Sequence, residues 1–245
     1  MQKKGKIKME KKDPRYQAYI QILKEELIPA MGCTEPIALA YAAAVARKTL
    51  GEMPDKVVVE ASGSIIKNVK SVIVPNTGHL KGINAAAAAG IVAGDPDKQL
   101  EVIATVSQEQ IRQMKQFMEE VPIQVVHMED GCTFDIIVTV FSGKSYAKVR
   151  IANFHTNIVL IEKNGEVLKS EAVSDDSEEG LTDRTLLDME HIWDFAMTAD
   201  IDDVKALLDQ QVAFNVAIAE EGIKNDYGAN IGKVLLDMDG NNVRV

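Results

Sequence analysis

The chain has 245 residues, of which 46% are hydrophobic and 26% charged, a composition that predicts a globular protein with a substantial core. Its formal net charge of −10 argues against a nucleic-acid-binding protein, because neutralising phosphates requires a basic face. No stretch is apolar enough to span a bilayer, and the two distant cysteines, Cys33 and Cys132, predict a reduced cytoplasmic protein that binds neither nucleic acid nor membrane.

The first predicted elements are two helices joined by a cysteine-containing turn. Residues 1–13 are rich in lysine and are expected to form a solvated basic tail. Apolar residues recur at helical spacing over 14–28, and the alanine-rich segment 37–50 predicts a second, closely packed helix. The turn 32–36 (Gly-Cys-Thr-Glu-Pro) opens this second helix, with Thr34 as the expected N-cap.

Extended and helical segments then alternate. An extended stretch begins at 57–59, is interrupted at Ser62, and is expected to resume at 65–66 and 72–74. Two further helices are predicted over 83–93 and 108–120.

After Pro122 the hydrophobic period changes to two, which indicates antiparallel strands. The strands are predicted at 123–125, 134–141, 145–151 and 156–161, with hairpin turns at 142–143 and 164–165. Three more helices follow, over 186–200, 204–224 and 231–238.

These elements predict the α+β fold class, with alanine-rich helices packed on a mixed or antiparallel sheet. The α+β domain is expected over 14–170 and carries the cysteine turn. An acidic, serine-rich linker over 171–183 leads to a helical C-terminal segment over 184–245.

Cys33 is the first candidate for chemistry. A cysteine at a helix start lies beside unpaired backbone N–H groups, which favour the thiolate, and a thiolate attacks electrophiles, abstracts protons or binds iron. The alternative is a buried small residue at a helix start. Its neighbour Glu35 is either a general acid or base, or a group that stabilises the helix start.

The glycine-containing loop 76–82 is the second candidate, because it precedes a helix start that offers unpaired N–H groups to an anion. This arrangement suits a small carboxylate better than a nucleotide, since the spacing is not that of a P-loop. The expected substrate-binding residues here are Asn76, Thr77, Gly78 and Lys81. Ser62 and Ser64 either line the same pocket or mark a bulge within a strand.

Five motifs in order carry a resemblance to a known family. They are Gly32-Cys33-Thr34-Glu35-Pro36, Ser62-Gly63-Ser64, Pro75-Asn76-Thr77-Gly78 with Lys81-Gly82, Gly90 with Ala93-Gly94-Asp95-Pro96, and His155-Thr156-Asn157. Together they resemble the L-cysteine desulfidase family, which is related to the alpha chain of iron–sulfur L-serine dehydratases. The resemblance runs from about Arg15 to the end of the chain.

The resemblance implies a cytoplasmic lyase that eliminates hydrogen sulfide from L-cysteine, or water from L-serine, and leaves pyruvate and ammonia. It implies an oxygen-sensitive [4Fe-4S] cluster, a small amino-acid substrate, and catalytic roles for Cys33, Glu35 and His155. By analogy Cys33 is either the base that removes the α-proton or an iron ligand. The family motif also places Asn157 among the substrate-binding residues.

One departure from the family pattern affects the cofactor. Family members are about twice as long, and their second half supplies cluster cysteines, whereas two cysteines cannot build a four-thiolate cluster. The chain is therefore expected to be an N-terminal portion without its cluster, completed by a missing C-terminal half or a separate chain. Exposed apolar faces in its last helices would then favour a homo-oligomer.

Two alternatives to this lyase stay open at this point. The first is a catalytically inactive module of the same fold that binds a small carboxylate or amino acid. The second is a thiol-dependent hydrolase that uses Cys33 with His155.

Overall fold

The computed structural model describes residues 9–30, 32–173 and 181–240. Most of the predicted basic tail and the middle of the predicted acidic linker lie outside the described residues. The helices are α1 (Pro14–Glu26), α2 (Thr34–Leu50), α3 (Gly63–Val69), α4 (Gly82–Ala93), α5 (Gln108–Glu120), α6 (Met189–Thr198), α7 (Ile201–Lys224) and α8 (Ile231–Met238). The strands are β1 (Lys56–Ser62), β2 (Ile123–Met128), β3 (Asp135–Ser142), β4 (Ser145–Ala152), β5 (Ile158–Lys163) and β6 (Glu166–Ser170).

The strands form one mixed sheet in the order β2-β1-β3-β4-β5-β6 within the described part of the chain. Strands β1 and β2 are parallel, and all the other neighbours are antiparallel. Alternate residues of the central strands are buried, as expected when helices cover one face of a sheet. Val57 and Val59 of β1, Val138 of β3 and Val149 of β4 are fully buried. The predicted α+β class, with its mixed sheet and helical C-terminal segment, is confirmed.

Helices α2 and α4 pack so closely that only small side chains fit between them. A Cβ atom on Gly90 of α4 would lie 2.0 Å from the carbonyl oxygen of Ala40 in α2. A Cβ on Gly94 would lie 2.7 Å from the Cβ of Ala44. The alanine-rich sequences of both helices are therefore explained by close approach of their backbones. Helix α2 also packs on β3 and β4, so the cysteine turn at its start is anchored to the core.

The segment after β1 differs from the prediction. Residues 63–69 form helix α3, where the sequence predicts an interrupted strand, because Ile65 and Val69 are four residues apart and bury the same helical face. Farther on, Ile73 forms only an isolated bridge with Lys81. Strand β6 was not predicted from the sequence.

The chain divides into two compact units, Pro29–Ser177 and Met1–Ile28 with Glu178–Val245. The division differs from the expected domains, since α1 belongs to the helical unit and not to the α+β unit. In the helical unit, the rings of Tyr16 and Tyr19 in α1 pack edge-on against Phe195 of α6. The Tyr16 hydroxyl donates a 2.7 Å hydrogen bond to Asp203 of α7.

Across residues 9–30, 32–173 and 181–240, no helix combines the length and the apolar character needed to cross a bilayer.

Candidate functional site

The cysteine turn positions its side chains through the start of α2. Gly32 has φ of +128°, a conformation that side chains disfavour, and Cys33 is the N-cap residue. Thr34, the predicted N-cap, is instead the first residue of the helix. A Cβ on Gly32 would lie 3.7 Å from Pro75, so the turn adjoins the start of the glycine-containing loop.

The central contact of the site joins Cys33 and Glu35. Cys33 is exposed, and its thiol donates a 3.0 Å hydrogen bond to Oε2 of Glu35. Burial, the hydrogen bond to Glu35 and the negative charge of that carboxylate together raise the pKa of Cys33, while the backbone N–H of Glu35 lowers it. The sequence predicts that the helix start favours the thiolate, and the direction of this pKa shift opposes that prediction. The helix-start N–H does favour it, but the carboxylate and partial desolvation outweigh that effect.

The Glu35 carboxylate is held by a hydrogen bond at each of its oxygens. Besides the Cys33 thiol at Oε2, the amide of Asn68 in α3 donates a 3.1 Å hydrogen bond to Oε1. The hydrogen bond from Cys33 is the largest effect that lowers the pKa of Glu35, and the bond from Asn68 and the charge that His155 carries when protonated act in the same direction. Glu35 is therefore an oriented, ionised acceptor beside the thiol.

His155 supports the helix start from the other side. Its Nε2 and the Thr34 hydroxyl oxygen form a 2.8 Å hydrogen bond. Its ring packs edge-on against Phe134, with the centroids 4.5 Å apart. Burial lowers the pKa of His155, partly offset by the charge of Glu35, so the imidazole is neutral at neutral pH. The structure thus brings together the three predicted catalytic residues, Cys33, Glu35 and His155.

The predicted substrate-binding residues are mostly engaged in bonds within the fold. The Asn76 amide donates to the carbonyl oxygens of residues 103 and 104, at 3.0 and 3.1 Å. The fully buried Thr77 hydroxyl donates to the carbonyl of Val74 at 2.7 Å. The Ser62 hydroxyl donates to the carbonyl of Thr133 at 2.7 Å, and the Asn157 amide to that of Ala152 at 3.0 Å.

The other three residues of this predicted set differ in their surroundings. Gly78 has φ of +65°, and a Cβ there would lie 3.0 Å from Ile111, so this position requires glycine. Ser64 is exposed within α3, and Lys81 is the exposed N-cap residue of α4. Binding of substrate by this set remains a prediction.

Sequence reasoning missed Asn68, which fixes the carboxylate, and Phe134, which packs on His155. Asn68 lies on helix α3, between two stretches that the sequence predicts as extended, so its side chain was not expected near Glu35. Phe134 was predicted at the start of a strand, but no local pattern indicates which imidazole it contacts.

Cys132 is separate from this site in its chemistry. It is buried, and its thiol donates to the carbonyl of Phe134 at 3.0 Å. It also lies 3.5 Å from Asp135, a fully buried carboxylate that forms a bidentate pair with Arg150. Among the described residues, no group of three or more His, Cys, Asp or Glu side chains is arranged to hold a metal ion. The residues present therefore do not fit the [4Fe-4S] cluster that the resemblance implies.

The chain is similar to several proteins that share one name. A UPF0597 protein of Desulfitobacterium hafniense is 54% identical over 237 residues, covering 97% of this chain and 55% of the relative. UPF0597 proteins of Lachnoclostridium phytofermentans and Treponema denticola are 44% and 42% identical, covering 94% and 91% of this chain. The chain spans 55% and 52% of these two relatives, and so about half the length of the curated relatives it matches. No family model and no solved structure matches.

These comparisons correct the predicted identity and function. The identification with the L-cysteine desulfidase family is wrong, because the relatives are named UPF0597 proteins and none of these three names mentions a desulfidase, a dehydratase or an iron–sulfur cluster. The same finding contradicts the predicted function as an iron–sulfur lyase. It also contradicts the alternative of an inactive amino-acid-binding module of that fold.

Proposed function

We propose that the chain carries the catalytic site of a thiol-dependent acyl-transfer enzyme. Cys33 is the nucleophile, Glu35 is the general base, and the substrate is a small ester or thioester. The observation that carries the proposal is the 3.0 Å hydrogen bond from the exposed Cys33 thiol to the Glu35 carboxylate. A nucleophile bonded to a base, which is itself oriented by a third group, is the arrangement that covalent catalysis requires.

The reaction starts from the protonated thiol. As sulfur attacks the acyl carbon, the S–H proton passes to Glu35 and an S–C bond forms. Collapse of the tetrahedral intermediate breaks the bond to the leaving alcohol or thiol, which takes the proton from Glu35. Water, or a second acceptor, then attacks the thioester and releases the acyl group, with Glu35 again accepting and returning a proton.

Backbone N–H groups at the start of α2 supply the oxyanion stabilisation. Cys33 is the N-cap residue of α2, so its side chain lies beside the first-turn N–H groups, which have no partner within the helix. Donors close to the nucleophile and fixed by a helix are suited to the charge that develops on the acyl oxygen. Because α2 is packed in the core, these donors need little rearrangement when the charge appears.

Two side chains hold this geometry without touching the reacting atoms. Asn68 fixes the Glu35 carboxylate, and His155 fixes Thr34 at the first position of α2. The Cys33 thiol donates its hydrogen bond to Glu35, so the pair between Cys33 and Glu35 takes the place of the alternative pair between Cys33 and His155. A free thiol nucleophile suits a reducing compartment, so the proposal places the protein in the cytoplasm.

The test is acylation of the purified chain by p-nitrophenyl acetate and by a short-chain acyl thioester, followed by intact-mass and peptide mass spectrometry. We expect one acetyl group on Cys33, release of free acid with turnover, and loss of both in Cys33→Ala. Cys132→Ala is the matched control and keeps both. Glu35→Gln slows acylation roughly 100-fold, the usual contribution of a general base.

Acylation that persists in Cys33→Ala, or that Glu35→Gln leaves unchanged, would overturn the proposal. So would the absence of acylation by either reagent in a folded chain whose Cys33 is reactive towards iodoacetamide.

A further inference from the structure

The second half of α7 and the whole of α8 expose apolar side chains on the helical unit. Phe214 and Ile218 lie on the other face of α7 from the remaining eight, which are between 42% and 79% exposed: Val212, Val216, Ile223, Tyr227, Ile231, Val234, Leu235 and Met238. At roughly 150 Å² per side chain, the low end of what an aromatic ring buries, the surface formed by these eight amounts to on the order of 700 Å². That exceeds the usual largest apolar patch of a monomer and approaches what one partner contributes to a stable interface, about 800 Å².

The α7 stripe is the centre of this surface. We define it as Val212, Val216, Ala219 and Ile223, whose spacing of four, three and four residues places them on one helical face. The ten residues from Gln210 to Ala219 are uncharged. A helix with such a stripe, flanked by charges only at its ends, has the pattern of a helix that pairs with another helix.

The exposed face of α8 continues the α7 stripe. Its residues Ile231, Val234, Leu235 and Met238 follow the spacing of three, one and three that defines one apolar face. A Cβ on Gly232 would lie 3.6 Å from Cδ1 of Ile223, so the end of the α7 stripe contacts the start of α8. The apolar face of α8 therefore lies next to the end of the α7 stripe.

We propose that this surface is the dimer interface between two copies of this chain, with the two α7 helices antiparallel. An antiparallel pair that places Val216 of one copy beside Ala219 of the other also places Val212 beside Ile223. The stripe is thus complementary to itself under a two-fold axis, which an isologous interface requires.

The charges at the ends of the stripe agree with this register. In the same alignment Lys224 of one copy comes within one helical turn of Asp209 of the other, at both ends of the pair. Within one copy, Lys224 lies 3.6 Å from Glu220, and Asp209 pairs with Lys205. All four side chains are exposed, so these pairs within one copy can exchange for contacts across the dimer. A parallel pair in register would instead place Asp209 beside Asp209.

The test is the molar mass of the full chain by size-exclusion chromatography with light scattering across a concentration series. We expect a dimer with a dissociation constant of roughly 10 µM or tighter. Val216→Lys, which introduces a good helix former on the α7 stripe, should weaken the dimer roughly 30-fold or more. Phe214→Lys is the matched control on the opposite face of α7 and should change the constant by less than about threefold. Circular dichroism confirms that both variants keep their helices.

A charge exchange tests the antiparallel register separately. Asp209→Lys alone and Lys224→Glu alone should each weaken the dimer, and the double variant should restore it, because the opposite charges then meet again across the pair. A wild-type chain that is monomeric across the series, including one that associates only with a different polypeptide, would overturn the proposal. An effect of Phe214→Lys equal to that of Val216→Lys, or a double variant weaker than both single variants, would overturn it as well.

Discussion

Replacing Glu35 by glutamine separates the charge of this residue from its shape. The glutamine side chain has nearly the same size and keeps an oxygen that accepts from the Asn68 amide. It removes the negative charge that favours the protonated Cys33 thiol. We therefore expect the pKa of Cys33 to fall in Glu35→Gln, while the part of its elevation that comes from burial remains.

The size of the effect follows from the separation of the two groups. The Cys33 sulfur and Oε2 of Glu35 are 3.0 Å apart, and the thiol is exposed, so a water-like dielectric constant is appropriate. Coulomb's law then gives about 1.4 kcal/mol for the repulsion between the thiolate and the carboxylate. More thiolate therefore forms near neutral pH in Glu35→Gln, but a less basic thiolate is also less nucleophilic. The net rate of alkylation should rise about threefold.

The assay is the rate of alkylation by iodoacetamide near neutral pH, followed by peptide mass spectrometry so that Cys33 is distinguished from the buried Cys132. Glu52→Gln removes one negative charge from an exposed position after α2 and is the control, with no expected change. Raising the salt concentration should shrink the difference between Glu35→Gln and wild type, because exposed charges are screened.

The same substitution has opposite effects on two reactions if Glu35 is a base. Alkylation reports the thiolate already present and becomes faster, whereas acyl transfer loses its proton acceptor and becomes slower. If Glu35→Gln alkylates more slowly than wild type, the carboxylate does not favour the thiol form, and the reasoning is refuted. If both reactions become faster, Glu35 is a charge that suppresses the thiolate and not a catalytic base.

Three further predictions concern stability. Arg150→Met leaves Asp135 buried without its partner and should lower the free energy of unfolding by about 3 to 5 kcal/mol, measured by urea denaturation; a loss below 1 kcal/mol would contradict it. Gly90→Ala should lower the free energy of unfolding by roughly 3 kcal/mol or more, because the new Cβ would collide with the backbone of α2. Gly222 is a helical glycine with open space around it, so Gly222→Ala should raise the free energy of unfolding by about 0.5 to 1 kcal/mol. Thermal denaturation compares the two variants. Burial lowers the pKa of His155 in the folded chain below the ordinary 6.5, so the unfolded chain binds a proton at this residue more readily than the folded chain does. The free energy of unfolding should therefore fall as the pH drops through 6.5. In His155→Asn the free energy of unfolding should fall less over the same pH range, and a fall equal to that of the wild type would contradict the argument.

The elements that sequence predicts well are those whose hydrophobic period is local. Helix α2 and strands β3 to β5 follow directly from their alanine content or their alternation, and the two-residue turns between the strands are encoded by glycine. Helix α3 was mistaken for a strand because Ile65 and Ile66 form a short apolar run, which either structure accommodates. Whether this segment forms a helix or a strand is decided by its packing against the sheet, which the local sequence does not show.

The candidate site was predictable in its members but not in its electrostatics. Cys33 and Glu35 are two residues apart in the sequence, and a helix start beside a cysteine predicts a lowered thiol pKa. The pKa of Cys33 is instead raised, because the thiol is partly desolvated and because the Glu35 side chain turns back to accept from the sulfur. The contacts of Asn68 and His155 join segments far apart in the chain, and no local pattern encodes them.

The parallel pairing of β1 and β2 has a consequence for the order of folding. The 60 residues from Gly63 to Pro122, which include α3, α4 and α5, separate the two strands. Strands β3 to β6 follow one another directly and pair as a meander, so their loops close at small entropic cost. Pairing across 60 residues is slower, and it gains its partner contacts only after the intervening helices have formed. The meander should therefore acquire protection from hydrogen exchange early in refolding, with the amides of β2 protected last.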